Sequence, residues 1–258
     1  MCCVGAAARG APRMPPREER GRDRFPAQLA LPLTLDAHAA FDTLVDGQNG
    51  AAIAHVRSLT DSRPGLVWVW GARGCGKSHL LQAACRAADA AGKRTMYVPL
   101  ARPDIAPDAL AGLDALDFLA LDDIEHRAGR PEWEHALFDV LNAYLVGGRS
   151  LVMAASAPPG AAGFEMPDLE SRAAAAAVYR LHALDDEDQV EALRRHARGR
   201  GLELEPAAAR FLQSRVTRDM AALCTWLHRL DTAALAAQRR ITIPFIRASL
   251  EAPPEPTD

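Results

Sequence analysis

Residues 66–81 read LVWVWGARGCGKSHLL, and this stretch decides the fold class. The apolar run from Leu66 to Trp70 predicts a β-strand, and a helical run follows the glycine-rich loop. The loop, residues 71–78, has the pattern G-x-x-x-x-G-K-S, which binds phosphate groups when it joins a strand to a helix. Its glycines let backbone N–H groups converge on an anion, and the helix adds its positive end. A plain glycine turn would not explain the lysine at the start of the helix.

The composition sets the class of protein. The chain has 258 residues, 49% of them hydrophobic and 24% charged, with a net charge of −3. These values fit a globular protein of one large domain, or one medium and one small, with no overall basic field for nucleic acid. No apolar run reaches membrane-spanning length. The five scattered cysteines lack metal-site spacing, which favours reduced thiols and a cytoplasmic location.

Strands and helices alternate through the first two thirds of the chain, which predicts a parallel five-stranded sheet with helices on both faces. Predicted helices cover about 49–59 and 131–146, and after about residue 184 the pattern is purely helical, with Asp185 and Thr217 as N-caps. The predicted strands are Leu66–Trp70, Thr95–Val98, Phe118–Leu121, Leu151–Ala155 and Val178–Leu181.

Five regions follow from these patterns. Residues 1–24 are rich in Arg and Pro and predict a disordered extension, for which contact with nucleic acid is the alternative. Residues 25–35 form a short apolar segment, either an edge packed on the domain or a peptide that docks extended on a partner. Residues 36–183 predict an α/β nucleotide-binding domain, 184–251 a helical lid and 252–258 a flexible tail.

Two aspartates follow the predicted third strand, at the edge of the sheet that faces the ligand. We expect Ser78 and Asp122 to hold Mg²⁺, and Asp123 to orient the attacking water. Aspartate is one methylene shorter than the glutamate of many strong ATPases, so weak or no intrinsic hydrolysis is expected. The alternative is that both aspartates cap the following turn.

Two arginines lie where a positive charge needs a reason. Arg172 lies between the fourth and fifth strands, where an arginine finger would reach a nucleotide held by a neighbouring subunit. Arg218 lies in the first turn of a predicted lid helix, where it opposes the helix dipole. Contact of Arg218 with the γ-phosphate of a bound nucleotide would explain this position. A helix-surface position is the ordinary alternative for Arg172.

Together these motifs resemble AAA+ ATPases of the DnaA class, and most closely the Hda family of DnaA-related regulators. The resemblance covers most of residues 28–250 and includes the segment Phe41–Asn49, similar to the one that wraps the base in that class. The chain departs from the family at Ser156-Ala157 and at residues 173–177. The other segments that carry the resemblance are residues 28–33, 121–125, 167–172, 197–201, 218–220 and 238–245.

The resemblance implies a function. The family binds ADP or ATP with Mg²⁺, docks on the DNA polymerase sliding clamp and promotes hydrolysis of DnaA-bound ATP, which inhibits replication initiation. It implies Arg172 and Asp123 as catalytic residues, and Gln28, Leu29, Leu31, Pro32 and Leu33 as the clamp-binding peptide. A homodimer or larger homo-oligomer is possible, and no duplex-binding helix-turn-helix domain is expected. The implied nucleotide-binding residues are Gly71, Gly74, Cys75, Gly76, Lys77, Ser78, His79, Arg218 and Asn49.

Two other functions stay open. An independent ATPase of the helicase-loader type would need fast turnover of its own and contact with single-stranded DNA. A scaffold stabilised by nucleotide would bridge the clamp and a partner without any catalytic effect. The ATPase activity of the purified chain, with and without the clamp and DnaA, distinguishes these functions from the one above.

Overall fold

A computed structural model describes residues 38–61, 63–216, 219–237 and 240–251. The predicted extension, the clamp-binding peptide Gln28–Leu33, the tail, and both Thr217 and Arg218 lie outside the described residues. The strands are β1 (Leu66–Trp70), β2 (Thr95–Pro99), β3 (Phe118–Asp122), β4 (Ser150–Ala155) and β5 (Ala177–Arg180). The helices are α1 (Gly50–Asp61), α2 (Lys77–Ala90), α3 (Pro131–Gly147), α4 (Pro167–Ala174), α5 (Asp186–Gly199), α6 (Pro206–Arg215), α7 (Met220–Ala237) and α8 (Ile243–Glu251).

The five strands form one parallel sheet in the order β2-β3-β4-β1-β5, so the predicted fold class is confirmed. Strand β1 lies between the central strand β4 and the edge strand β5, and its last residue, Trp70, pairs with Ala155 at the end of β4 and Arg180 at the end of β5. Because the strands are parallel, their carboxyl ends meet at one edge of the sheet. The glycine-rich loop after β1 therefore lies at the same edge as Asp122, the last residue of β3.

Alternate strand residues cover the two faces of the sheet. Val67, Val69 and Val152 share a core with residues of α1 and α2 such as Val56 and Leu81. The intervening residues, including Trp68, Leu119 and Met153, point to the opposite face and are fully buried. Helix α3 contacts β4. Burial of both faces explains why the strands are continuous apolar runs rather than alternating ones.

Helices α5 to α8 have a hydrophobic core of their own, built around residues such as Leu193, Leu212 and Leu227. As predicted, Asp185 caps α5, because its carboxylate accepts a hydrogen bond from the N–H of Asp188 at 2.8 Å. The described part of α7 begins at Met220.

The last element differs from its predicted range, Ile241–Leu250. Ile241 forms an isolated parallel bridge with Leu204, and α8 begins at Ile243. The bridge joins the segments that precede α6 and α8. Of the helices in the described ranges, none combines the length and the apolar character that crossing a bilayer requires.

Candidate nucleotide-binding site

The loop between β1 and α2 has the backbone geometry of an anion site. Gly76 precedes α2 in the left-handed conformation, with φ of 94°, and a Cβ placed on it would meet nothing within 4 Å. Gly71 has no such space, because a Cβ there would lie 2.4 Å from the carbonyl oxygen of Leu181. The helix N-terminus therefore opens onto free space, while the first glycine lets the loop pass close to the chain that follows β5.

Lys77 is turned toward its own loop. Its Nζ donates to the carbonyl oxygens of Gly71 at 2.8 Å and Ala72 at 3.1 Å, and the residue is only 9% exposed. An ammonium group has three donors, and within the described ranges these two carbonyls are the hydrogen-bond acceptors found for it. One donor therefore stays available for a phosphate oxygen in front of the helix.

Cys75 can contribute only its backbone to a ligand. Its side chain is 6% exposed and belongs to the core beneath the loop. Burial raises the pKa of the Cys75 thiol, although the nearby Lys77 ammonium opposes this effect. Its N–H donates to the carbonyl oxygen of Ala72, with a long distance of 3.4 Å. The sequence pattern identified the position but did not show that the thiol points away from the site.

Asp122 and Ser78 are suited to hold a divalent cation. The Asp122 carboxylate is fully buried, and it accepts hydrogen bonds from the hydroxyl of Tyr97 at 2.7 Å and the N–H of Asp123 at 3.0 Å. Burial, together with the charge of Asp122, raises the pKa of Tyr97, so this hydroxyl stays a donor. Ser78 is exposed in the first turn of α2, with its hydroxyl in reach of solvent. An oriented carboxylate and an open hydroxyl are the oxygen ligands that Mg²⁺ accepts.

Asp123 begins a turn in a conformation that is rare for residues other than glycine, with φ of 57°. Burial and the charges of Asp122 and Glu125 raise its pKa. Possible ligand atoms of Asp123, Glu125 and His126 lie within 4.8 Å of one another. Glu125 also accepts a hydrogen bond from the N–H of Ser156 at 2.9 Å. Glu125 ends the segment 121–125 that carries the family resemblance, but neither Glu125 nor His126 was among the predicted site residues.

Asp123→Asn is expected to raise the melting temperature at pH 7. Because the pKa of Asp123 is raised in the folded protein, its stabilising contribution is present below the ordinary aspartate pKa and lost as pH rises through the folded value. The amide removes the unfavourable charge and tolerates the left-handed backbone. The gain should shrink toward about pH 4, where an aspartate becomes protonated.

Thermal unfolding at pH 7 and at about pH 4 measures this effect. Asp104→Asn is the control of opposite sign, because a hydrogen bond from Arg102 lowers the pKa of Asp104. An equal gain for Asp123→Asn at both pH values would show that charge is not the cause.

Asn49 and His79 lie where the segment before α1 meets the rest of the chain. Asn49 is buried, and its amide exchanges two hydrogen bonds with the backbone of His182, at 2.8 and 2.9 Å. Nε2 of His79 lies 2.8 Å from the hydroxyl of Thr43, and the His79 ring is 4.8 Å from that of His196 in α5. The first turn of α2 is thus in contact with the lid, and contact of Asn49 and His79 with a nucleotide stays a prediction.

The lid also reaches the glycine-rich loop. A Cβ placed on Gly74, where φ is 81°, would lie 2.6 Å from Oδ1 of Asp219. That oxygen accepts a hydrogen bond from the N–H of Ala221 at 3.1 Å, at the start of α7. Asp219 is the immediate neighbour of Arg218. The described lid residue Asp219 therefore lies beside the loop that is predicted to bind the phosphates.

Arg172 is exposed in the last turn of α4. Leu169 and Ala173, on the same helix, are fully buried, so the helix is held by one face and presents Arg172 on another. In the described part of the chain, no carboxylate forms an ion pair with this guanidinium. Its side chain is thus accessible to a partner molecule.

Comparison with known proteins agrees with this geometry. Residues 186–250 match the family model described as Hda, lid domain. The chain has the AAA+ fold and an Hda-type lid. The resemblance to the Hda family, expected from the sequence, is thereby confirmed over the lid, residues 186–250.

Solved AAA+ structures show the same fold as this chain. Domain III of the Thermotoga maritima initiator DnaA is 18% identical with a TM-score of 0.70, and the match covers 85% of this chain and 98% of that one. AMPPCP-bound DnaA from Aquifex aeolicus is 18% identical, with a TM-score of 0.59 and coverage of 77% and 66%. The Thermotoga maritima RuvB branch migration motor is 17% identical, with a TM-score of 0.58 and coverage of 82% and 72%. The fold shared with DnaA domain III thus extends over 85% of this chain.

Proposed function

We propose that this protein is a negative regulator of replication initiation. It binds ADP or ATP with Mg²⁺, is held on the sliding clamp by residues 28–33, and uses Arg172 to promote hydrolysis of ATP bound to a DnaA partner. The observation that carries the proposal is the exposed guanidinium of Arg172, presented on a helix that is anchored by its buried face. The Hda-type lid supports DnaA as the partner.

Nucleotide binding rests on the loop between β1 and α2. Its glycines and the N-terminus of α2 supply N–H donors, and Lys77 has a donor left for an outer phosphate. Ser78 and Asp122 would hold Mg²⁺, which neutralises phosphate charge when bound. The complex of a DnaA neighbour with the ATP analogue AMPPCP supports an adenine nucleotide as the ligand.

Intrinsic hydrolysis should be weak. Asp123 is one methylene shorter than the glutamate of many strong ATPases, so it orients the attacking water less effectively. The bound nucleotide would then set the conformation of this chain, while the chemistry takes place on the partner. An arginine finger contributes about 10³–10⁵ in rate, which is enough for a switch.

Reconstitution tests the proposal directly. The purified chain, clamp loaded on DNA and ATP-bound DnaA are mixed, and conversion of the DnaA-bound ATP to ADP is followed over time. The proposal requires conversion that depends on all three components. Fast hydrolysis by this chain alone would instead support an independent ATPase.

Replacing Gln28 and Leu31 together by alanine should abolish capture of the protein by immobilised clamp. The leucine contributes about 1.5–3 kcal/mol when its side chain is buried, so its loss alone weakens binding about 10- to 150-fold. Pull-down and surface plasmon resonance measure the loss. Thr34→Ala, just outside the motif, is the control and should bind normally. Unchanged binding of the double variant would place the docking site elsewhere in the chain.

A further inference from the structure

One buried carboxylate joins the loop that begins with Asp123 to the segment that leads into α4, the helix of Arg172. Glu134, in the first turn of α3, is only 2% exposed. Its Oε1 accepts hydrogen bonds from the N–H of Gly129 at 2.7 Å and of Glu165 at 3.0 Å. Its Oε2 accepts one from the N–H of Met166 at 2.7 Å. Both carboxylate oxygens are thus used on backbone donors.

The donors belong to different parts of the site. Gly129 lies two residues before α3, in the loop that begins with Asp123 after β3, and Glu165 and Met166 lead into α4. The two segments also lie close together, because a Cβ on Gly163 would be 3.7 Å from that of Ala128. Glu134 therefore holds the loop of the chain's own nucleotide site against the segment that starts the helix of Arg172.

Helix α4 depends on this attachment more than a longer helix would. It has eight residues, and no side chain caps its N-terminus. The carbonyl of Met166 accepts the first helical hydrogen bond, from the N–H of Glu170 at 3.2 Å. The N–H of Met166 donates to the carboxylate of Glu134, so Glu134 fixes the point from which α4 starts. Hydrogen bonds to an ionised carboxylate are about twice as strong as neutral ones, which suits this task.

We propose that Glu134 is the positioning residue for Arg172, and that it links the presentation of this arginine to the loop after β3. The inference rests on the proposed function of Arg172. Because Glu134 is buried and both its oxygens accept hydrogen bonds from the backbone, its proposed part is to position Arg172 and not to contact a nucleotide. Its loss should let α4 shift relative to the sheet, and a displacement of about 1 Å at a catalytic group costs about 10²-fold in rate.

Glu134→Gln in the full chain tests the inference. The amide keeps the size of the side chain but replaces one acceptor by a donor that faces backbone N–H groups. With the variant protein at a concentration that saturates DnaA, the rate of DnaA-bound ATP hydrolysis should fall about 10- to 100-fold. The affinity of the variant for ADP should stay unchanged. Hydrogen exchange at Glu165 and Met166 should accelerate in the same variant.

Tyr144→Phe is the matched control. Tyr144 is also a buried residue of α3, and its hydroxyl donates to the carbonyls of Leu113 at 2.8 Å and Leu116 at 3.3 Å, away from α4. If Tyr144→Phe has a melting temperature similar to that of Glu134→Gln, it should still support hydrolysis of DnaA-bound ATP at the full rate. If both variants lose activity in proportion to their stability, Glu134 has only a structural role and the inference is overturned.

Met166→Pro provides a second variant in case Glu134→Gln does not fold. It deletes the N–H that Glu134 binds, and the backbone there, with φ of −86°, is close to that of proline. This variant too should lower the saturated rate. Full activity of either folded variant, with Arg172→Ala inactive, removes the inference and leaves the proposed function standing. Normal activity of Arg172→Ala removes both.

Discussion

Arg172→Ala is expected to abolish stimulation of DnaA-bound ATP hydrolysis while leaving this protein's own nucleotide binding and stability intact. The guanidinium is exposed and forms no ion pair with a described residue, so its removal leaves no buried partner unsatisfied. Because a finger stabilises charge that develops only in the transition state, its loss should cost about 10³–10⁵ in the rate of the partner's reaction.

Single-turnover hydrolysis of radiolabelled ATP on DnaA measures this rate, with clamp on DNA present throughout. Arg215→Ala is a suitable control, since Arg215 is another exposed arginine in the last turn of a helix, α6. Arg172→Lys should recover little activity, because a lysine lacks the planar pair of donors that binds two phosphate oxygens. Stimulation by Arg172→Ala at the normal rate would show that the guanidinium has no catalytic part.

The sequence predicted the sheet well for a physical reason. Its strands are buried on both faces, so each is a short apolar run that ends at a turn, and β1 has the predicted bounds, Leu66–Trp70. The glycine-rich loop between β1 and α2 was equally visible in the sequence, because the phosphate binding predicted for it needs glycines and a lysine at fixed spacing. Asp185 was identified as a cap because capping depends on a residue and its immediate neighbours.

What the sequence could not show are contacts between residues far apart in the chain. The ring of His79 meets that of His196, and Asp219 lies against Gly74, yet no local pattern relates either pair. Glu134 is a similar case. At the start of a helix a glutamate is ordinary, since it favours the helix dipole, and only the fold reveals that its carboxylate holds Glu165 and Met166.

The site residues of the loop were predicted by position but not by orientation. The pattern placed Cys75 among the nucleotide-binding residues, although its thiol belongs to the core. Lys77 was expected to extend toward phosphate, and its ammonium is bound by two carbonyls of its own loop. Orientation depends on which acceptors the folded loop offers, and these are set by backbone angles at the glycines rather than by residue identity.

Lys77→Met should weaken ADP binding by about 10- to 150-fold. Methionine keeps the length and apolar stem of a largely buried side chain but removes the ammonium. A hydrogen bond to a charged group contributes about 1.5–3 kcal/mol, and the one donor that Lys77 has left makes one such bond to a phosphate oxygen. The affinity for AMP, which lacks the outer phosphate, should change much less. The preference for ADP over AMP therefore reports on the lysine itself.

Isothermal titration calorimetry with ADP and AMP measures that preference. Lys93→Met is the matched control, because Nζ of Lys93 also donates to a backbone carbonyl, that of Leu59 at 3.1 Å, at a site remote from the loop. Both variants lose an ammonium that binds the backbone, so both should show a similar small change in melting temperature. Only Lys77→Met should lose the preference for ADP over AMP. If ADP binds both variants equally well, the ammonium of Lys77 serves only to hold its loop, and the phosphates must be bound by backbone N–H groups alone.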